Sequence, residues 1–445
     1  MFIVIFIVLA VLVLVIVGVL FFKARQKRKY ERAGILYKNG RFEEALKLFQ
    51  ELLAKNPRKK IYFWNIGLCY EQLGNYEMAL VEFNKLALST SFDSSLKEVD
   101  IHNKIALLNL KINNIDKAWK EFQIVASIDP EHAESFYNLG LISVRKSDYQ
   151  RAMDYFEKAC QYREQYPESW LELGKVYLKQ NYFEKARKAL INVITQRPSL
   201  TEAHFNYAIV LEKERSYKQS IEEFQQAAED NRFRFHSMVH LGNIYISLNN
   251  KEMAFDYFEK ALAFGTVDNK ELIETKYRYA NYLIGSGNIN KALKLWREID
   301  SVQTGYKDVK NKIDIYGEIN KSSILSRFIT MNKQDFIETS KSLCKKLKVK
   351  IEKADTEKKD FVEFVGTFRV GRDEMTCIVD IARWINKVGE IPIRELLERM
   401  NDRGASKSIF VTSSTFTQKA LDLSNIRPVE LIDKDRLEHM LEEIL

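Results

Sequence analysis

The stretch "DYQRAMDYFEKAC", residues 148–160, sets Ala152, Tyr155, Phe156 and Ala159 at helical spacing on one apolar face. The pattern recurs on both sides of it. Upstream stand "RFEEALKLFQELLAKNP" (41–57), "NYEMALVEFNKLAL" (75–88) and "NIDKAWKEFQIVASIDP" (114–130). Downstream stand "YFEKARKALINVITQRP" (182–198), "SYKQSIEEFQQAA" (216–228), "NKEMAFDYFEKAL" (250–262) and "NINKALKLWREI" (288–299). The small residue at the centre falls at Ala45, Ala79, Ala118, Ala152, Ala186, Ser220, Ala254 and Ala292, with spacings of 34, 39, 34, 34, 34, 34 and 38. Such a period marks stacked supersecondary units, none of which can bury its apolar face alone.

Each unit opens on a second helical pattern, such as "FWNIGLCY" (63–70), "FYNLGLI" (136–142), "WLELGKVY" (170–177) or "HLGNIY" (240–245). Gly67, Gly140, Gly174 and Gly242 are expected where two helices approach too closely for a side chain, a role Ala106, Ala208 and Ala280 share. Pro57, Pro130 and Pro198 end units where a helix must stop. Period and pattern together resemble the tetratricopeptide repeat (TPR). About eight helical hairpins fit residues 30–304, and the resemblance implies a right-handed solenoid with a concave groove. By that resemblance Trp64, Tyr137, Leu171, Phe205 and Tyr277 line the groove, with Leu68, Leu141 and Ile209 one turn further along each first helix. The lysine and asparagine pair with which chaperone-binding members hold a C-terminal carboxylate is missing. An apolar, aromatic groove suits an amphipathic helix or an extended apolar peptide; the alternative is that these aromatics pack between units.

Residues 1–22, "MFIVIFIVLAVLVLVIVGVLFF", carry no charge. As a helix the run just spans a hydrocarbon core of about 30 Å. A cleaved signal peptide would want a basic stretch ahead of its apolar run, whereas here the bases follow, in "FFKARQKRK". The sequence predicts an uncleaved transmembrane anchor over 1–22 and a basic juxtamembrane segment over 23–29. Five of the seven residues from Lys23 to Lys29 are Lys or Arg, five of the chain's formal +8. That flank belongs in the cytoplasm with the N-terminus outside, and the same charges suit anionic headgroups. Cys69, Cys160, Cys344 and Cys377 are far apart and share no ligand spacing, which argues against a disulfide framework and agrees with a reducing cytoplasmic location. His236 and His240 are four apart, but lack a third ligand nearby in sequence, so coincidence is favoured over a metal site.

Beyond "GYKDVKNKIDIYGEI" (305–319), read as a capping helix, the repeats stop, and residues 305–325 are assigned to cap and linker with "NKSSILSRFITMN" as a polar joint. Residues 326–445 then read as an α/β domain. A helix ("KQDFIETSKSLCKKLKV") precedes a short strand ("KIEKAD"). A hairpin ("DFVEFVGTFRV" to "MTCIVDIARW") precedes a helix with Pro392 in its first turn ("IPIRELLERMND"). A buried strand ("KSIFVTSS"), a threonine-capped helix ("TFTQKALDLSN"), a strand ("VELID") and a last helix ("KDRLEHMLEEI") follow. The order, and above all "VGEIPIRELLERM", "GASKSIFVTSSTFTQKAL" and "RPVELIDKDRLEHML", resemble the catalytic domain of Mrr-type restriction endonucleases of the PD-(D/E)xK superfamily.

That resemblance implies a metal-binding acid at Glu363 and a second at Asp380, holding Mg²⁺ to activate water and stabilise charge on the phosphate. It also implies a lysine where Ala382 stands. Arg383 falls on the opposite face of its strand, and a guanidinium cannot serve as a base. Glu363, in place of aspartate, moves its carboxylate by a methylene. From Met331 to Leu445 there are 21 Lys and Arg against 21 Asp and Glu, so composition demands no DNA. Lys341, Lys345, Lys346, Lys348 and Lys350 cluster locally, a pattern more often a solvated face.

The expectation is therefore a mostly α chain: a transmembrane helix, a TPR solenoid and a C-terminal α/β restriction-endonuclease-like domain. The favoured function is a membrane-anchored, cytoplasm-facing scaffold for protein partners, its nuclease-like domain degenerate and used for protein or DNA contact. The alternatives are a membrane-tethered endonuclease using Glu363, Asp380 and a relocated lysine, with Lys387 as one candidate, and a DNA tether that does not cut. No cofactor is expected unless the site works, in which case Mg²⁺ would sit on Glu363 and Asp380.

Overall fold

The computed structural model describes residues 2–88, 96–264, 269–371 and 373–445, without the side chains of 2–6, 8, 10, 11 and 426. The chain forms two compact units, Met1–Phe233 and Arg234–Leu445. Sixteen helices make eight hairpins, from α1 (Phe2–Lys38) and α2 (Phe42–Lys55) to α15 (Asn269–Ile284) and α16 (Ile289–Val302). Within the first unit the second helix of each hairpin packs on the first helix of the next. The central small residues of all eight hairpins are fully buried, because each lies under the crossing of its own hairpin. A Cβ built on Gly140 would lie 2.5 Å from the Phe156 ring, and one on Gly174 2.8 Å from Leu190.

The period of 34 also marks the turn inside each hairpin. Gly40, Gly74, Asn113, Ser147, Asn181, Arg215, Asn249 and Gly287 all have positive φ there. Glycine and asparagine adopt that left-handed conformation readily, whereas Ser147 and Arg215 bear its steric cost.

Helix α1 is continuous through the expected anchor, the basic segment and the first repeat helix, so no break in backbone separates these three. Among the described residues no helix is long and apolar enough to cross a membrane. Residues 1–6, 8, 10 and 11 of the expected span lie outside the described side chains.

In the second unit α17 (Val309–Asn320) packs on α16. The expected polar joint is a helix, α18 (Ser323–Thr330), whose Leu325 and Phe328 are buried in the α/β core. Four apolar residues in a two-turn helix, with polar residues on both flanks, read as a joint in sequence and acquire a core only through what they pack on. The α/β domain continues with α19 (Lys333–Lys346), β1 (Lys350–Asp355), β2 (Phe361–Val370), β3 (Asp373–Ala382), α20 (Glu390–Asp402), β4 (Lys407–Thr412), α21 (Gln418–Ile426), β5 (Val429–Ile432) and α22 (Lys434–Leu441). The sheet order is β1-β2-β3-β4-β5, antiparallel through β3 and parallel from β3 to β5. One face buries Val362, Phe364, Val379 and Ile381 against α18, α19 and α22. The other buries Ile378, Ala382 and Phe410 against α20 and α21. All four cysteines are free and buried. Burial pushes the Cys69, Cys160 and Cys344 thiols up to about 12, and Cys377 up to about 11.

Candidate functional site

Antiparallel pairing puts Glu363 of β2 directly opposite Asp380 of β3, on the face that α20 covers. Asp380 is fully buried and Glu363 nearly so. Two arginines on one side of α20 reach them. Arg399 Nη2 donates to Asp380 Oδ2 at 2.5 Å, and its Nε lies 2.7 Å from Glu363 Oε2, off the line of a hydrogen bond. Arg403 Nη1 donates to Glu363 Oε1 at 2.6 Å. Asp380 Oδ1 is buried without a hydrogen-bond partner. Burial pushes the Asp380 carboxyl up to about 7; the Arg399 charge opposes this and the Glu363 charge adds to it.

A cavity of about 210 Å³ opens beside these groups and is bordered also by Lys358, Trp384 and Glu395. Ala382, where the resemblance wants a lysine, is fully buried in an apolar cluster with Phe410, Phe361 and Trp384. Lys387 does not border this cavity and lines two others instead; the lysine that borders it is Lys358, whose charge favours the ionised form of Asp380. Arg383 lies on the opposite face. It donates through Nε to Asp360 Oδ1 at 2.9 Å, through Nη2 to the Lys359 carbonyl at 2.9 Å and through Nη1 to the Met331 carbonyl, with its guanidinium over the Phe336 ring. It ties α19 to the β2–β3 hairpin.

The fit of a divalent cation can be judged on this donor set. Mg²⁺ takes near-octahedral oxygens and keeps several waters. Three of the four carboxylate oxygens here face guanidinium nitrogens, and the fourth is sealed from solvent. Among the described residues no three His, Cys, Asp or Glu groups are placed to hold a metal. As arranged, the residues do not fit the ion. His236 pairs with Glu271 at 3.0 Å. Of the basic cluster, Lys341 and Lys346 are paired, with Glu338 and Glu443.

Arg399, Arg403 and Lys358 are the site residues that sequence reasoning missed. The signal for the arginines was present: both flank the buried stripe of Ile393, Leu396 and Met400 on α20, so their heads had to come down at its edge.

The expected groove residues in the first unit each meet an aromatic or apolar neighbour. Trp64 packs edge-on to Phe83 at 5.1 Å, Tyr137 against Tyr166 at 5.1 Å, and Phe205 stacks on Phe233 at 5.1 Å. Leu171 is buried; Leu68, Leu141 and Ile209 are half-buried. In the second unit Tyr277 donates to Asp308 Oδ1 at 2.8 Å beneath the ammonium of Lys307.

Fold and site together define a helical-hairpin repeat protein joined to a nuclease-fold domain. The tetratricopeptide repeat family is matched over residues 30–94, 103–169, 144–204 and 235–264, and the restriction endonuclease family over residues 328–441. The chain thus carries tetratricopeptide repeats across 30–264 and a C-terminal restriction endonuclease domain of the Mrr type. Over 116 residues it is 29% identical to tetratricopeptide repeat protein 8 of Caenorhabditis elegans, a stretch that makes up 26% of this chain and 22% of that protein. The chain therefore spans less than a quarter of the length of that curated relative. Among solved structures, the C-terminal part of a TPR protein from Cytophaga hutchinsonii is 17% identical with a TM-score of 0.47, over 55% of this chain and 98% of that one. YrrB, described as a TPR protein with an unusual peptide-binding site, is 22% identical with a TM-score of 0.39, over 44% and 97%.

Proposed function

We propose that this protein is a membrane-anchored scaffold whose repeats bind protein partners on the cytoplasmic side and whose nuclease-fold domain is catalytically silent. The observation that carries the silent reading is the guanidinium clamp on Glu363 and Asp380, beside a buried alanine in the lysine's place. Arginine there supplies the positive charge that keeps two facing carboxylates together, and it cannot activate water. Domain limits of 1–22 for the anchor, 23–29 for the basic segment, 30–304 for the solenoid, 305–325 for cap and linker and 326–445 for the nuclease-like domain belong to this reading. The anchor is supported by the uncharged run at 1–22 and the basic flank that follows. Protein partners are supported by the repeats, and DNA contact only by the domain's ancestry.

A second reading, a working membrane-tethered endonuclease, is favoured by one feature: Lys358 borders the acid pair's cavity and is the lysine that chemistry would have to use. One assay separates the two. The full-length protein and Asp380→Ala are given modified and unmodified duplex DNA with Mg²⁺ or Mn²⁺. No cleavage by either is expected. Loss of a charge-stabilising group at such a site costs a factor of about 10² to 10³ in rate. Cleavage by wild type that disappears in Asp380→Ala would overturn the silent reading, and its further loss in Lys358→Ala would identify the relocated lysine.

A further inference from the structure

The turn between α2 and α3 (Lys60–Gln72) lies against α1 just past the end of the apolar run. The Asn56 side-chain amide donates to Gln26 Oε1 at 2.5 Å. Gln26 is four residues beyond Phe22, about 6 Å along the helix axis. Between α1 and this turn opens a cleft of about 770 Å³. On one side its wall is apolar and exposed, formed by Val15, Gly18, Val19 and Phe22. At the other end it is cationic, formed by Lys23 and Lys27 from α1 and Lys59 from the turn.

The charge in that end is unbalanced. Lys59, from "PRKK" (57–60), shares the cleft with Lys23 and Lys27. Lys29 pairs with Glu51, but Lys23 and Lys27 make no ion pair among the described residues. The Lys59 ammonium rests over the Tyr62 ring at 5.1 Å. Burial, and then the charges of Lys55 and Arg25, lower the Lys29 ammonium below its ordinary range. Gln26 Nε2 has no partner although it is buried. Helix α3 (Lys60–Gln72) starts without a side-chain cap, so its first amides add to the positive field.

An apolar wall that leads into a cationic pocket has the layout of one ligand class, a lipid with an anionic headgroup. We infer that this cleft seats an anionic phospholipid, its phosphate between Lys23, Lys27 and Lys59 and an acyl chain along Val15, Val19 and Phe22. The inference rests on the membrane-anchor reading and adds to it. Lys59 belongs to the repeat array and not to the juxtamembrane segment, so the lipid would fix the tilt of the first hairpin against the bilayer. A diffuse polybasic flank would not use Lys59 at all.

The test uses the full-length protein reconstituted in phosphatidylcholine vesicles that carry a spin-labelled lipid, either phosphatidylglycerol or phosphatidylcholine. A urea wash followed by flotation reports insertion. The motionally restricted fraction in the electron paramagnetic resonance spectrum reports lipid association. Wild type is expected to float after the wash and to prefer phosphatidylglycerol by about a hundredfold, at about fivefold for each of the three lysines. Lys59→Gln should lose about fivefold of that preference, as expected for one lysine at an anionic surface. Lys23→Gln with Lys27→Gln should lose more, and Lys188→Gln, on α10 (Phe183–Gln196), should lose nothing. Circular dichroism verifies that the variants keep their helices. Inserted protein with no preference, or a preference that Lys59→Gln leaves intact, would overturn the cleft while sparing the anchor. Protein that the wash strips from the vesicles would overturn both. Inserted protein that shows no phosphatidylglycerol preference but binds inorganic phosphate through Lys59 would assign the pocket to free phosphate and refute the lipid.

Discussion

Arg399→Gln removes the one cation shared by two carboxylates that face each other across β2 and β3. Breaking a fully buried ion pair costs about 3–5 kcal/mol. Two features reduce that figure here. The Arg399 side chain keeps 30% exposure, so solvent screens it, and Glu363 retains Arg403. A loss of about 2 kcal/mol is expected at pH 8. At pH 6 Asp380, already pushed up to about 7 by burial, takes up a proton and sheds its need for a partner. The loss should then fall to about 1 kcal/mol or less. Amide hydrogen exchange on the intact protein reads this locally, in β2 and β3, once the intrinsic pH dependence is removed. About thirtyfold faster exchange is expected at pH 8 and only a few-fold at pH 6. If the arginines stand where a metal would, Arg399→Gln with Arg403→Gln should regain protection when Mn²⁺ is added, while wild type should not respond. Equal protection of variant and wild type at pH 8 would refute the clamp, and so would a wild type that Mn²⁺ itself protects.

Three further outcomes are expected. The Asp380 carboxyl holds its proton in the folded state up to about pH 7 and the unfolded chain releases it near 4, so its stabilising contribution is full below about pH 4 and is lost as pH rises through 7. The stability of wild type relative to Asp380→Asn should therefore fall by up to about 1.4 kcal/mol per pH unit across that window in urea titrations, and a flat difference would contradict the burial argument. Arg215→Gly should stabilise the array by about 0.5–1 kcal/mol, because it relieves an exposed left-handed residue at the cost of some chain entropy, and a lowered melting temperature would refute this. Trp64→Ser, Tyr137→Ser and Phe205→Ser together should abolish partner capture with helical content retained; joint loss of helicity would return the three to a packing role.

The repeat array was legible because its information is local. Period, central small residue and close-approach glycine all act within one hairpin or between neighbours, and the buried positions follow that pattern. The facing of Glu363 and Asp380, and the turning away of Arg383, also follow from strand alternation and a hairpin register. Harder to see were α18, whose eight residues are too few to announce a core, and Lys358, which a loop brings to the acids' cavity. The left-handed turn at Ser147 and Arg215 carries no residue signal at all, since the helix crossing imposes it.

What the sequence determined by itself is the order of elements: an apolar run and basic flank, hairpins of fixed period, and an α/β domain with Ala382 where the family resemblance implies a lysine. What only the tertiary structure decided is which charges meet. Arg399 and Arg403 reach Glu363 across 36 and 40 positions of chain, and Asn56 meets Gln26 across 30. Periodicity assigns a side chain to a face, but an ion pair needs the height and rotation of a helix on its neighbour. Those are set by the packing of residues such as Ile393, Leu396 and Met400 against the sheet.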